Sequence, residues 1–461
     1  MNNNNNKLQS VDVSLSTSNS LSSAFPLPSL SRQSASKSIA GALALASCGL
    51  FANGAQAAEE GSFTDGWQVD AALMYYGEQE RVQAIEAIGT AQKTFDDEST
   101  VDLKLVVDSL TGASASGAVA QTSSQTFTRP SGNGQYTIKA GDTPLDDTFH
   151  DTRLQGSANG SWVLNSDWKI NGGVYGSKEY DYMSIGLNGG AERGFNKDNT
   201  TLFFGGAYSF DVVDPEGGRP VALSSMAIRD HYNSDDSFQA AFDATRQRGS
   251  DNKQTVDLML GVTQILNQRW LLQANYGISS VSGYLTDPFK VLSVVDESGT
   301  TEDIRYENRP DSRLKHSVYL MTKGALDSGV VDFSYRFNTD DWDLTSHTLE
   351  THYRYYFSGS FYGQLHLRYY TQSKVDFYQP FLLSDEPLPE FASADYRIGD
   401  MDAYTFGVKF GHRLAGGHEM TYRLEYYQQN PTSDEPLPGQ LQELDIFPTQ
   451  KAITAQFSYS F

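Results

Sequence analysis

The chain of 461 residues contains one cysteine, Cys48, and 34 basic residues against 57 acidic ones. It has no apolar run long enough for a membrane-spanning helix, which needs about 20 in succession. It also lacks a His-Glu-x-x-His helix, a phosphate-binding glycine loop and a nucleophile elbow. Each absence removes a class. One cysteine excludes a disulfide framework and thiolate metal centres. A formal net charge of −23 argues against nucleic acid as a partner. Asp142-Thr-Pro-Leu-Asp-Asp147 is acidic but lacks calcium-loop spacing. No catalytic residue, cofactor or metal is expected, and the chain does not read as an enzyme.

What is present is aromatic and alternating. Tyr numbers 26 and Phe 25, yet hydrophobic residues make up only 39% of the chain. In the last stretch, Ile453, Ala455, Phe457, Tyr459 and Phe461 share one face, and Thr454, Gln456, Ser458 and Ser460 share the other. The same period of two recurs at Leu202–Phe210, Val256–Val262, Trp270–Ile278, Val331–Phe337, Phe361–Tyr369, Tyr404–Phe410 and Met420–Tyr426. A soluble sandwich also alternates, but its strands are typically short. These are long enough for a tilted crossing of about 9–11 residues. Apolar residues toward lipid, polar residues inward and an aromatic chain end describe an outer-membrane strand.

The connections agree. Short turns are expected at 164–167, 196–199, 266–268, 327–329, 358–360 and 415–417. Long polar connections are expected near 109–149, 214–253, 286–313, 374–400 and 430–448, at the opposite ends of the strands. The fold class is therefore all-β: a transmembrane antiparallel up-and-down barrel of about 16 strands with long outer loops, in the outer membrane of a Gram-negative bacterium.

Residues 1–57 read as a leader and secretory signal, with Arg32 and Lys37 before the apolar run Ile39–Phe51 and small residues at Ala55-Gln56-Ala57. The barrel is placed at 58–461. Leu45-Ala-Ser-Cys48 also fits a lipoprotein cleavage site, and both processing routes stay open at this point.

Asp332, Arg336, Glu350, His352, Arg354, His366, Arg368, Lys409, Arg413, Arg423 and Glu425 fall on the polar faces and are the lumen-lining candidates. Mixed charge there either braces a plug or lines an aqueous channel. The leading functional expectation is a porin-like or gated channel for a small solute or export substrate. The alternative is a non-conducting outer-membrane anchor or assembly protein for an envelope system.

Four motifs resemble domain-of-unknown-function family 3570: Asp108–Gly117, Gly141–Arg153, Ser282–Lys290 and Arg305–His316. The resemblance covers the mature chain and implies an exported outer-membrane barrel. It also implies a periplasmic or lipoprotein partner and a redox-linked setting. The other partners expected are outer-membrane lipid and the barrel-assembly machinery, the latter through the strand ending at Phe461. The motifs flank long loops. Asp108, Asp151 and Arg153 are read as anchoring loop 109–149 inside the lumen, and Tyr284, Asp287, Arg309 and Arg313 as anchoring loop 286–313, by charge-assisted hydrogen bonds.

Overall fold

A computed structural model describes residues 66–433 and 435–461. The signal read at 1–57, with Cys48, lies outside the described residues. Sixteen antiparallel strands form a closed barrel. They are β1 Trp67–Glu78, β2 Gln83–Thr94, β3 Thr100–Ala115, β4 Leu145–Val163, β5 Trp168–Lys178, β6 Tyr182–Phe195, β7 Thr200–Val213 and β8 Asp251–Ile265. The second half comprises β9 Trp270–Gly283, β10 Ser312–Leu326, β11 Gly329–Asp340, β12 Thr345–Tyr356, β13 Phe361–Gln372, β14 Met401–Arg413, β15 Glu419–Pro431 and β16 Gln450–Ser460. Each pairs with its chain neighbour, and β16 returns to β1 with Leu73 opposite Phe457. Closure leaves no unpaired backbone edge, which a hydrocarbon surrounding requires.

The alternation sorts the side chains. Leu187 (56% exposed), Leu260 (56%), Phe406 (52%) and Leu424 (53%) all lie on the outer surface. Leu73, Val174, Leu202, Leu320, Phe333 and Ile453 join them. A continuous apolar belt of this kind has no place in water. In a bilayer it is the buried face, and the protein is an outer-membrane β-barrel. At the rim where the first strand starts, at Trp67, and the last one ends, at Ser460, Trp162, Trp168, Trp270, Phe357 and Phe361 face outward as an aromatic girdle.

The turns at that rim are tight for local reasons. In Leu164–Trp168 the Asn165 side chain accepts from the Asp167 and Trp168 amides at 3.0 and 3.1 Å. In Leu266–Trp270 Asn267 does the same for Arg269 and Trp270 at 2.8 and 3.1 Å. Such Asx turns reverse the chain without help from distant residues.

The opposite, outer end carries the long connections 116–144, 214–250, 284–311, 373–400 and 432–449. It differs from the sequence expectation in two ways. The connections 79–82, 179–181 and 341–344, at the same end, are short. Strands β3 and β4 also run further than expected, pairing as far as Ala115 and Leu145 past an irregularity at Gly112/Ser114. They project beyond the bilayer, where water satisfies what lipid cannot.

The buried apolar core of the described residues sits in these outer connections. Trp342, Val375, Phe377 and Ile398 form one cluster, and Leu292, Val294, Leu382 and Ala392 a second. Ala118, Phe127, Val291 and Tyr306 form a third, and Val119, Val295, Phe381 and Leu441 a fourth. A short helix, α1 Asp235–Ala244, starts at a Ser234–Ser237 capping box and packs Phe238 and Phe242 on Ala227. Segments 291–295, 301–306 and 382–383 form a small sheet of their own. The loops therefore fold into one body at the mouth of the barrel, with residues 116–144 inside it and not extended into solvent.

Candidate functional site

A buried ionic cluster ties the loop body together. Lys290, Glu307 and Asp395 are 2%, 0% and 1% exposed. Arg309 reaches Glu307 at 2.6 Å and Asp395 at 2.8 Å. Arg397 pairs with Asp395 and reaches Asp287 at 2.9 Å. Glu307 accepts the Asp287 amide at 2.6 Å and the Ser393 hydroxyl at 2.5 Å. Lys290 donates to the carbonyl of Ala115, the last residue of β3. Burial alone would raise the Asp395 carboxyl, but Arg397, Lys290 and Arg309 outweigh it and hold it well below the usual carboxylate range. Burial drives Lys290 the other way, below its ordinary value.

This cluster is fixed to the barrel wall. Gln372, on the inner face of β13, donates to the carbonyls of Arg397 and Gly399 at 3.0 and 2.7 Å. Arg81, in the connection 79–82, lies over the Tyr396 ring at 5.7 Å. Arg313 on β10 pairs with Asp340 on β11 and lies over the Trp342 ring at 4.3 Å. Residues from β3, β10, β11, β13 and the 79–82 turn thus hold the loop body across the opening.

The expected anchors fall into two places. Asp287 and Arg309 belong to the ionic cluster, and Arg313 stands at the rim beside it. Tyr284 packs under Arg219 at 5.7 Å. Asp108 and Arg153 lie opposite one another on β3 and β4 and pair at 2.6 Å, beneath the 116–144 connection. Asp151 is nearby, buried with Glu179 and Asp181 at 4%, 6% and 5% exposure. Burial and the Asp151 carboxylate push Glu179, which lies in a turn outside the membrane, up to about 8.

Every lumen-lining candidate lies on the barrel's inner face, opposite the apolar belt. Asp332 pairs with His352, His352 with His366, Glu350 with Arg368, and Lys409 with Arg423 in the strand registers. Asp332, Glu350, His352, His366, Arg423 and Glu425 come together. His352 and His366 stack at 4.3 Å with planes 17° apart. The Nδ1 of His352 meets Asp332 at 2.9 Å, and the Nδ1 of His366 meets Glu425 at 2.9 Å. Both Nε2 atoms face Oε1 of Glu350, at 3.8 Å from His352 and 3.0 Å from His366. Arg423 stands 3.8 Å from Glu425 and bonds Gln456 at 2.6 Å. Arg368 stands opposite Glu350 at the edge of this group, and the remaining candidates lie apart from it. Arg354 bonds Gln364 and covers Tyr362, Arg336 covers Tyr319, and Arg368 covers Tyr370. Arg413 lies 3.5 Å from Glu419 near the chain-end rim.

Several residues of these groups escaped the sequence reading. Lys290, Glu307, Asp395 and Arg397 lie in polar loops where nothing in the local pattern marks burial. The spacing Glu307-x-Arg309 was the one available signal, since residues two apart in extended chain share a face, whereas Asp395 and Arg397 meet through a 3-10 turn, Tyr396–Ile398, that Asp395 caps. Glu179 and Asp181 sit in a turn that reads as solvated. Gly407 carries no chemistry of its own, and its part appears only with the strand register.

Solved structures with some likeness include outer-membrane proteins. A bacterial polysaccharide outer membrane secretin is 8% identical, with a TM-score of 0.42 over 87% of this chain and 100% of its own. OccK1 (OpdK) of Pseudomonas aeruginosa is 10% identical, with a TM-score of 0.37 over 86% and 98%. The toluene transporter TodX of Pseudomonas putida is 11% identical, with a TM-score of 0.35 over 86% and 89%. Likeness at this level says nothing of substrate. No curated protein matches the sequence. The motifs at Asp108–Gly117, Gly141–Arg153, Ser282–Lys290 and Arg305–His316 lie within residues 40–461, which match the family model described as protein of unknown function, DUF3570, and the chain belongs to that family.

Proposed function

We propose that this protein is a gated pathway across the outer membrane for a small solute or export substrate, closed at its outer end by the folded loop body. The observation that carries the reading is the ionic cluster of Lys290, Glu307, Arg309, Asp395 and Arg397 held over the barrel mouth. A wall of 16 strands is wide enough to leave an aqueous lumen, which an eight-stranded barrel is not. The inner face below the loops is charged and hydrogen-bonded, as a wetted wall is. Closure rests on a few paired charges at the centre of the loop body, and pairs of that kind are strong when complete and costly when broken.

The test is single-channel conductance in a planar bilayer. The refolded protein is compared with a variant in which residues 374–399 are replaced by a short Gly-Ser linker. The expected result is a closed intact protein and steady open steps in the variant. A correctly folded variant that stays silent sinks the channel and favours the alternative, a non-conducting anchor whose loop body is the part presented to a partner.

A further inference from the structure

We infer that Glu350, His352 and His366 form a binding site for one divalent transition-metal ion, of the zinc class, on the lumen wall. Glu350 and His352 lie two apart on β12 and so share a face, and His366 stands directly opposite His352 on β13. One donor atom from each falls within 4.8 Å of the others. Two imidazoles and one carboxylate make a donor set that zinc accepts, with a fourth position left for water.

The arrangement behind the rings carries the inference further than proximity does. Each Nδ1 is met by its own carboxylate, Asp332 for His352 and Glu425 for His366, both at 2.9 Å. An ionised carboxylate only accepts, so each Nδ1 carries a proton and each Nε2 is the atom an ion would take; on His366 the ion displaces the proton that Nε2 shares with Glu350 at 3.0 Å. Both Nε2 atoms face the same oxygen of Glu350, at 3.0 and 3.8 Å, and the rings, stacked 4.3 Å apart with planes 17° apart, turn toward one another to share an ion. An ion held tetrahedrally at about 2.0–2.2 Å sets its donors roughly 3.3–3.6 Å apart, between the two Glu350 distances. A metal-binding histidine held from behind by a carboxylate is the usual way that ring orientation and basicity are fixed. Three carboxylates surround the pair and favour a cation there, with Arg423, at 3.8 Å from Glu425, and Arg368, opposite Glu350 in the register, offsetting part of that charge. His352 and His366 retain 27% and 15% side-chain exposure, so the site opens to the lumen.

Gly407 completes the construction. It lies between His366 and Glu425 in the register of β13, β14 and β15. A Cβ there would stand 2.8 Å from Cγ of Glu425 and 3.2 Å from Cβ of His366. Its lack of a side chain lets Glu425 cross an intervening strand to reach the ring.

The test uses refolded, untagged protein stripped with chelator, titrated with Zn2+ by calorimetry and with Co2+ by absorption. The expected result is saturation at about one ion per chain, with cobalt bands of a four-coordinate nitrogen and oxygen site. His352→Ala with His366→Ala abolishes saturation, and Glu350→Gln, which keeps size and shape, weakens it at least about tenfold. Far-UV dichroism and heat-shifted gel mobility confirm that each variant is a barrel. Folded wild-type protein that binds no saturable Zn2+ overturns the inference, as does binding that survives in the double variant. The assay reads binding and not conduction, so a silent channel leaves the site standing.

Discussion

Glu425 of β15 hydrogen-bonds His366 of β13 at 2.9 Å although β14 runs between them. The contact exists because the residue between them is Gly407. A side chain at 407 closes the gap, with backbone-near atoms of both partners already within 3.2 Å of its first carbon. Gly407→Val is therefore expected to separate Glu425 from His366 while leaving the strand intact, since a β-branched residue suits a strand. Zinc affinity falls by about 10- to 100-fold, the usual effect of losing the group behind a metal-binding ring. Calorimetric titration checks it. An unchanged affinity would mean that Glu425 does nothing for the ring.

The loop body has a comparable dependence on Arg397. Its guanidinium serves both Asp395 and Asp287, and both carboxylates are buried. Arg397→Ala leaves two buried charges short of a partner. The loss is expected to be about 3–5 kcal/mol, confined to the loops. Hydrogen exchange should quicken in 284–311 and 373–400 while the strand amides stay protected. Arg397→Lys restores only part of this, because one ammonium cannot present the fork that two carboxylates share. Uniform exchange across barrel and loops would contradict the separation.

The barrel was legible because its physics is repeated from strand to strand. Most of the strands carry the same period, although the region 77–100 is poorly patterned, and chance does not sustain so many repeats between Trp67 and Phe461. The inner faces followed at once, because a known outer residue fixes its neighbour as inner. The loop body was not legible. Leu292, Phe377 and Leu441 come from connections far apart in sequence, and no local period announces that they meet. Helix α1 left a fair signal, since Ser234, Asp235 and Asp236 precede Phe238 and Phe242 at a spacing of four. It was missed because a long polar connection was read as a loop throughout. Asp287 and Arg309 were named as candidates from their motifs, but Asp395, which pairs with Arg309, and Arg397, which reaches Asp287, lie in another loop and only the fold brings them together.

The outer belt offers a direct test of orientation. Leu258, midway along β8, faces outward and is 44% exposed, while its neighbour Met259 faces the lumen. Leu258→Arg places a charge near the centre of the bilayer and should destabilise the folded protein by about 2–4 kcal/mol. Met259→Arg should cost little, because the lumen wall already carries charge. Denaturant unfolding in lipid vesicles measures both. Equal costs would mean that the two faces have been assigned wrongly.

Glu179 gives the outer rim a pH dependence whose sign follows from its environment. Burial is the largest cause, and the Asp151 carboxylate adds to it, so the group is pushed up to about 8 from an ordinary 4.5. Between those values the folded protein keeps a proton that the unfolded chain has released. The folded state binds more protons there, so stability falls as pH rises through that window. Above it the buried carboxylate must carry its charge beside Asp151. Glu179→Gln imitates the protonated form and retains a donor for Asp151. The variant should match the wild type below pH about 4.5 and exceed it by about 1–3 kcal/mol at pH about 9. Urea midpoints at several pH values, with exchange protection at 179–181, measure the difference. A gap that stays constant with pH would show that Glu179 is ionised throughout, held by Arg153 more strongly than burial opposes it.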